Sequence, residues 1–241
     1  MGNIIHLAET DSTNRYLNEL VGKKKAEEGT IVVTDFQTAG KGQTGNSWES
    51  EAGKNLTFSL LLYPTEMDIR EQFALSEAIS LGLTDTLQVY AEGFSIKWPN
   101  DIYWQDKKIA GILIENAIMG RGISHCIVGI GLNMNQEEFI SDAPNPVSLK
   151  QITGKEFPLY ELLLTLRENI FNRYIQLLHQ DETLYKDYFK SLYRKTGFHL
   201  YEAESEKFEA KIKSVQLSGH LVLEDKAGKE RVFAFKEVRF V

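Results

Sequence analysis

The sequence predicts an α+β protein with a large N-terminal domain and a small C-terminal β-domain. Through about residue 195, apolar strand-like runs are mixed with stretches whose apolar residues recur at helical spacing. From Thr196 onward the pattern changes to short alternating strands. The 241 residues are enough for one large domain together with a small one. We therefore expect a first domain over residues 1–195 and a second over residues 196–241.

Composition and charge exclude several classes of protein. The chain is 42% hydrophobic and 25% charged, which is the balance of an ordinary globular protein. Its net charge of −7 argues against non-specific binding to nucleic acid. No apolar run approaches the ~20 residues needed to cross a bilayer, and the N-terminus does not resemble a signal peptide. Because neither a membrane span nor a signal peptide is predicted, we expect a cytoplasmic location. The histidines lack metal-ligand spacing, so we expect no structural metal site.

Local patterns predict the elements of the first half of the chain. A short strand over 3–8 precedes DSTN, whose polar residues can cap a helix that begins near Ser12. The β-branched run 30–36 and the apolar run 55–64 predict two buried strands. The later predicted elements are a core-facing helix over 68–90, a strand over 94–98, a hairpin turning at Gln105 to Lys107, and a turn at 119–122 that leads into a strand.

The second half of the chain begins with a polar, proline-containing loop at 134–147. Two helical stretches follow, over about 158–180 and 181–194. Four alternating strands are then predicted, over 198–203, 207–216, 220–225 and 231–241. A β-domain of about 45 residues is near the limit for independent stability, so we expect it to pack on the larger domain.

A long polar loop, residues 37–53, joins the two buried strands. Its glycines allow close backbone approach to a ligand, and successive N–H groups in such a turn form a concavity that binds anions. Lys41 adds a point charge and Trp48 is available for stacking. The loop suits a phosphate or a carboxylate, although it is not a P-loop and its composition is also that of a solvated turn. The glycines of its first half are Gly40, Gly42 and Gly45.

Four sequence motifs occur in a specific order. DSTN at 11–14 precedes the Gly/Lys loop, KWPND at 97–101 is followed by KKIAGILIE, and GIGLNMN spans 129–135. In this order and spacing the chain closely resembles the biotin–protein ligases, also called biotin–[acetyl-CoA-carboxylase] ligases. The resemblance implies a catalytic fold like that of the class II aminoacyl-tRNA synthetases, with a mixed sheet flanked by helices. It also implies a C-terminal SH3-like barrel.

The resemblance further implies a two-step reaction that uses ATP, Mg²⁺ and biotin. The biotin carboxylate would attack the α-phosphate of ATP, which gives biotinyl-5'-AMP and pyrophosphate. The biotinyl group would then pass to a lysine of a biotin carboxyl carrier protein or domain of a carboxylase. The charge repulsion between a carboxylate and a triphosphate must be cancelled by cations and N–H donors, and no covalent enzyme intermediate is needed.

Biotin-binding residues follow from the matching positions. Ser12, Thr13 and Asn14 match the family's STN, and with Gln37 they can offer uncharged partners to the ureido ring. Lys108 matches the lysine beyond KWPND, and we expect it to act with Lys41 in catalysis. Without the motif, Lys108 would be interpreted as an exposed lysine of a hairpin turn, and Ser12 as a simple helix cap. The full implied set is Ser12, Thr13, Asn14, Gln37, Lys41, Gly42, Gln43 and Lys108.

Nucleotide-binding residues are implied in the same way. Asp101 could orient a lysine or bind Mg²⁺ through water, whereas its local alternative is a Pro-Asn-Asp turn. Asn133 follows GIGL, where the alternative is a buried strand with small residues for packing. The implied set is Gly40, Lys41, Gln43, Trp48, Asn100, Asp101 and Asn133.

The loop departs from the family pattern. GRGRxG commonly carries two arginines, where this chain has Lys41 and Gln43. Lysine keeps the charge but loses the bidentate fork, and glutamine loses the charge. We therefore expect weaker retention of biotinyl-AMP, partly compensated by another cation such as Lys54 or Arg121.

Two other functions remain open at this point. Lipoate– or octanoate–protein ligases and transferases share the fold, but their RxxGGG-type element is absent and the Trp-Pro pair favours biotin. A non-catalytic biotin-binding protein would keep most of the motifs. The sequence begins at the catalytic region rather than at a winged-helix domain, so we expect no DNA binding. We also expect the protein to be a monomer or a weak homodimer and not to associate with membranes.

Overall fold

The computed structural model describes residues 2–43, 47–140 and 145–241. Within these residues the larger sheet has seven strands in the order β1-β2-β3-β7-β6-β5-β4. Strands β1 and β2 are parallel and the other pairs are antiparallel, so the predicted mixed sheet is confirmed. The strands are β1 (Ile4–Thr10), β2 (Ile31–Gln37), β3 (Leu56–Leu62), β4 (Phe94–Lys97), β5 (Asp101–Trp104), β6 (Lys107–Met119) and β7 (Gly122–Leu132).

Helices cover both faces of this sheet. On one face, α1 packs through Leu17 against Val32 and Leu61. On the other face, α2 lies between the sheet and α4, which explains why most of its residues are buried. The helices are α1 (Thr13–Gly22), α2 (Phe73–Gln88), α3 (Leu149–Thr153), α4 (Leu159–Leu178) and α5 (Thr183–Lys190). Within the described residues, no helix is both long and apolar enough to span a membrane.

The side chains of β3 alternate between two environments. Leu56, Phe58, Leu60 and Leu62 belong to the main core beneath α2 and α4. Because successive side chains of a strand point to opposite faces, Thr57, Ser59 and Leu61 face the side of α1. All seven residues are buried, so the hydroxyl groups of β3 are enclosed rather than solvated.

The C-terminal residues form a separate antiparallel sheet in the order β11-β10-β9-β8-β12. Its strands are β8 (His199–Ala203), β9 (Glu206–Val215), β10 (Leu221–Asp225), β11 (Glu230–Phe233) and β12 (Arg239–Phe240). This sheet fits an SH3-like domain, while closure into a barrel and the boundary at residue 196 stay predictions. The single strand predicted over 231–241 is wrong. A turn divides it, in which the Glu237 carboxylate accepts a hydrogen bond from Ala234 N at 2.7 Å.

The two sheets share one continuous apolar core. Tyr201 and Phe208 of the second sheet belong to the same cluster of buried residues as the first sheet. The Trp98 indole donates a hydrogen bond to Gly219 O at 2.9 Å, and a Cβ on Gly219 would overlap the Phe73 ring. The small sheet therefore packs directly on the larger one, at the end where β4 lies.

The polar loop predicted after residue 134 is followed by a helix that the sequence analysis missed. Helix α3 spans one and a half turns and begins with a capping box, in which the Ser148 hydroxyl accepts from Gln151 N and the Gln151 side chain accepts from Ser148 N. Its short length gives too little apolar periodicity to be recognised from the sequence.

One acidic side chain of α2 is buried with the apolar residues. Glu77 is 6% exposed, and burial raises its pKa from 4.5 to about 7. Burial disfavours the charged carboxylate because it is removed from water. The folded state therefore holds a proton that the unfolded chain releases between about pH 4.5 and pH 7, so this contribution to stability is present at low pH and is lost as the pH rises.

We predict that Glu77→Gln stabilises the protein at neutral and higher pH. The neutral amide has no ionisation cost, so the gain in unfolding free energy should be about 2–3 kcal/mol at pH 8 and much smaller at pH 5. Urea unfolding of both proteins at the two pH values measures it. The control is Glu71→Gln, an exposed carboxylate at the start of the same helical region. Equal gains for Glu77→Gln at both pH values would contradict the explanation.

Candidate active site

A cleft of about 790 Å³ lies on the α1 face of the large sheet. Its walls are the N-terminus of α1, the Gly/Lys loop and the segment 235–240 of the small sheet. The loop is tied to the beginning of α1, because Thr38 N and Ala39 N donate to Thr10 O and Asp11 O. Gly45 lies outside the described residues.

The floor of the cleft is a row of residues that are paired across five adjacent strands. Thr57, Gly131, Gly111, Asp101 and Lys97 are successive partners on β3, β7, β6, β5 and β4, and we call them the cleft row. All five line the cleft. The Trp48 indole lies on the two glycines, where a Cβ on Gly131 would overlap it and one on Gly111 would approach it to 3.2 Å. These glycines therefore seat the loop directly against the sheet.

Uncharged groups meet at the N-terminus of α1. The Gln37 carbonyl oxygen accepts from Thr13 N at 2.8 Å and from the Thr13 hydroxyl at 3.1 Å. The fully buried Ser59 hydroxyl lies 2.7 Å from the Thr13 hydroxyl and also contacts Asn14 Oδ1. Asn14 Nδ2 donates to Glu115 at 2.6 Å. The Ser12 side chain caps α1 and lines the cleft as well, so its two interpretations are compatible.

A cationic group stands at the centre of the cleft. Lys108 Nζ lies 2.7 Å from Asp101 Oδ1, and both side chains are about one quarter exposed. The ammonium also lies 5.7 Å from the centre of the Trp48 ring. Two backbone hydrogen bonds, Lys108 N to Asn145 O and Val147 N to Lys108 O, hold its main chain. Lys108 is therefore not an exposed turn lysine, whereas its neighbour Lys107 is exposed.

The turn after β4 is held by Asn100. Its side-chain Nδ2 donates to Ile112 O at 2.5 Å, and its main-chain carbonyl oxygen accepts from Ile112 N at 3.0 Å. These two bonds attach the Pro-Asn-Asp turn to β6. Asp101 consequently reaches Lys108, which agrees with the expectation that it orients a lysine.

A second lysine of the cleft was not recognised from the sequence. Lys97 Nζ donates to Tyr103 OH at 2.9 Å and lies 4.6 Å from the centre of that ring. It also lies 5.4 Å from the centre of the Phe240 ring. Burial lowers the pKa of Lys97, the nearby Asp101 carboxylate raises it in part, and the positive charges of Arg194 and Lys108 lower it again. Lys97 is the first residue of KWPND, so the motif itself was the available signal.

The cleft gathers most of the predicted residues. The biotin-binding set lines it completely, as do Trp48, Asn100 and Asp101. Gly40 belongs to the loop but does not line the cleft, and a Cβ there would be 2.7 Å from Trp48 O. Asn133 is buried outside the lining and donates to Val147 O. The compensating cations proposed for the loop, Lys54 and Arg121, do not line the cleft. The sequence analysis missed Thr57, Ser59, Lys97 and Glu115.

Several polar atoms of the cleft are buried without a hydrogen-bond partner in the described part of the chain. They are Gln43 Oε1, Trp48 Nε1, Thr57 Oγ1 and Asn116 Oδ1. Buried polar groups are normally hydrogen-bonded, because an unsatisfied group costs free energy. This concentration in one cleft indicates a site for a polar ligand.

Comparisons with known proteins agree with this geometry. The bifunctional ligase/repressor BirA of Escherichia coli (strain K12) is 34% identical over 134 residues, which are 55% of this chain and 41% of that protein. The biotin–[acetyl-CoA-carboxylase] ligase of Paracoccus denitrificans is 35% identical over 155 residues, covering 61% of this chain and 63% of that protein. The chain thus spans less than two thirds of the length of either relative.

The fold has a close match among solved structures. A biotin protein ligase from Aquifex aeolicus in complex with biotin and ATP superposes with a TM-score of 0.82 at 28% identity. The superposition covers 99% of each chain. Residues 7–133, which are more than half of the chain and include the Gly/Lys loop, the cleft row and Lys108, match the model of one family. The chain belongs to the Biotin/lipoate A/B protein ligase family.

Proposed function

We propose that the protein is an ATP-dependent ligase that converts biotin into biotinyl-5'-AMP. It then transfers the biotinyl group to a lysine of a biotin carboxyl carrier protein or domain. One observation carries the proposal: a cluster of uncharged hydrogen-bonding groups and a partly buried lysine lie at two positions along one cleft. Biotin has this polarity, with a neutral ureido ring at one end and a carboxylate at the other.

The hydroxyl groups of the uncharged cluster supply fewer protons than there are close oxygen–oxygen contacts in the cluster. Thr13 and Ser59 contribute two hydroxyl protons, whereas three oxygen–oxygen contacts link them to each other, to Gln37 and to Asn14. At least one acceptor is therefore left for a donor from a ligand. A ureido ring supplies two N–H donors, but the dithiolane ring of lipoate supplies none. This favours biotin over the lipoate and octanoate alternatives.

The partly buried Lys108 suits the first chemical step. A carboxylate oxygen of biotin attacks the α-phosphorus of ATP, the bond to the bridging oxygen of the β-phosphate breaks, and pyrophosphate leaves with the electron pair. Lys108 would neutralise the carboxylate and the charge that develops on the α-phosphate. Asp101 holds the ammonium in place before the ligand binds, and Lys41 at the loop would add a second charge.

Mg²⁺ would be carried by the nucleotide. Among the described residues, no three His, Cys, Asp or Glu side chains are placed to hold a metal ion. Mg²⁺ commonly uses one or two carboxylates together with substrate phosphates and water, and Asp101 is a carboxylate in the cleft row. The residues fit such an ion, which would supply charge neutralisation to the phosphates.

The second step needs an activated acyl group that is protected from water. The amine of the acceptor lysine attacks the carbonyl carbon of biotinyl-AMP, AMP leaves, and the amine loses a proton. The Trp48 ring lies over Gly111 and Gly131 of the cleft row, so it would exclude water from this part of the site. The carrier domain as acceptor is supported by the name of the Paracoccus relative. Oligomeric state, absence of DNA binding and cytoplasmic location stay predictions.

The function is tested by the preference for the acid in ATP–pyrophosphate exchange. We expect exchange with biotin and none with lipoate or octanoate, because the cluster around Thr13 requires N–H donors. Adding a carrier domain should release AMP and label one lysine. Exchange with lipoate would favour the lipoate-ligase alternative. Biotin binding without exchange or AMP release would identify a non-catalytic binding protein.

Removal of the Lys108 charge should abolish activation. We expect Lys108→Met to slow biotin-dependent exchange by about 100-fold or more, because a preorganised charge at the reacting phosphate is lost. Circular dichroism checks that the variant is folded. Lys107→Met is the matched control, since this adjacent lysine is exposed and should keep full activity. Similar losses in both variants would show that Lys108 has no special role.

The loop residue Gln43 should set the lifetime of the adenylate. Its Oε1 is buried in the cleft without a partner in the described part of the chain. We expect Gln43→Arg to slow the dissociation of biotinyl-AMP about tenfold or more, because a charge-assisted hydrogen bond to the phosphate is added. Release of radiolabelled adenylate measures this rate. Gln216→Arg adds the same charge on the small sheet and should leave it unchanged; an equal effect would refute a local role.

A further inference from the structure

Lys97 is a cleft cation without a carboxylate partner. No acidic side chain in the described part of the chain lies within ion-pair distance of its ammonium, although Lys108 is paired with Asp101. Its hydrogen bond goes to the neutral Tyr103 hydroxyl, and its ammonium lies over the faces of Tyr103 and Phe240. The Asp101 carboxylate, on the strand beside it, acts on Lys97 electrostatically but forms its ion pair with Lys108. A half-buried charge of this kind is costly unless an anion joins it. The lysine therefore indicates an anion site.

The position of Lys97 in the cleft row defines which anion it meets. The row begins with Thr57 on β3, beside the uncharged cluster that contains Ser59, and ends with Lys97 on β4. Lys108 lies between these ends, where its ammonium contacts Asp101 of the same row. Lys97 on β4 is one strand beyond Asp101 on β5 and two strands beyond Lys108 on β6, and adjacent strands are about 4.8 Å apart.

This order matches the geometry of a phosphoryl substitution. The attacking oxygen and the leaving oxygen must lie on opposite sides of the phosphorus, roughly in line. If the acyl group comes from the Thr57 side and the α-phosphate meets Lys108, the leaving group must lie toward β4. Charge increases there as the bridging oxygen departs, and a cation at that point stabilises the transition state.

We propose that Lys97 binds the pyrophosphate leaving group of the activation step, at the β-phosphate. This assignment rests on the proposed function. The α-phosphorus bond to the bridging oxygen breaks, and pyrophosphate keeps the electron pair. The Lys97 ammonium stabilises the negative charge that develops on pyrophosphate, and no redox change occurs. Lys97 has no role in the second step, because pyrophosphate has already left before the acceptor amine attacks.

The small sheet forms the wall of this subsite. Phe240 of β12 packs over the Lys97 ammonium, and Arg239 beside it lines the cleft while it is paired with Glu202 at 2.8 Å. The aromatic faces hold the ammonium by cation–π attraction without neutralising it. The charge therefore remains available to a phosphate, and the contact gives the small sheet a part in binding the nucleotide.

The test separates the two chemical steps in the 241-residue chain. We expect Lys97→Met to raise the KM of ATP and of pyrophosphate in biotin-dependent exchange by roughly 10- to 100-fold, as for loss of a charge-assisted hydrogen bond. Transfer from preformed biotinyl-AMP to a carrier domain should keep the wild-type rate. The affinity for biotin alone should also be unchanged, and Lys97→Arg should keep much of the exchange activity.

Lys195→Met is the matched control, because Lys195 lies 4.0 Å over the Phe189 ring but does not line the cleft. Unchanged KM values for ATP and pyrophosphate in Lys97→Met would overturn the assignment, and so would an equal loss in the transfer step. Should Lys97→Met fail to fold, the second variant is Tyr103→Phe, which removes the hydroxyl that accepts from Lys97 Nζ. A raised KM for pyrophosphate in this variant supports the assignment, and an unchanged KM overturns it. Failure of the proposed function is distinguished by the absence of exchange in the wild type.

Discussion

The absence of side chains at Gly111 and Gly131 is the constraint on which the cleft depends. These residues face each other on β6 and β7, and the Trp48 indole rests on them. Larger residues would lift the loop from the sheet, because real side chains cannot occupy the space of the indole. The two glycines lie on the face of the sheet opposite the main core, so apolar packing beneath α2 and α4 supports this part of the sheet from the other face. A rigid sheet thereby positions a loop that carries binding groups.

The position of α1 follows from the same sheet. Leu17 packs in a small apolar cluster with Val32, Leu61 and Ile127, which fixes the helix over β2, β3 and β7. This packing directs the N-terminus of α1 toward the hydroxyl of Ser59, where Thr13 and Asn14 meet it. Gly129 is required at that point, since a Cβ there would lie 2.5 Å from Asn14 Oδ1. Apolar packing and polar recognition are thus achieved by successive residues of one helix.

Electrostatics in the cleft differ from those of the whole chain. The net charge is −7, but Lys41, Lys97 and Lys108 line one cleft together with Asp101. Overall charge governs long-range repulsion, whereas a few partly buried cations in a region of low dielectric govern the binding of a single anion. An acidic protein can therefore provide a site for a carboxylate and a triphosphate together.

From the sequence alone, residue patterns predicted most helices and strands and the residue types of the binding loop, and the resemblance carried by the ordered motifs implied the mixed sheet. These features were readable because periodicity and motif spacing are local properties of the chain. The short helix α3 and the break after β11 were missed, since each involves only a few residues. Only the tertiary structure decided that Thr57 and Lys97 line the cleft, that Ser59 contacts Thr13 and Asn14, and that Lys54 and Arg121 do not line the cleft. The pairing of β4, β5, β6, β7 and β3 joins residues that are distant in sequence, and strand register is set by packing across the whole sheet.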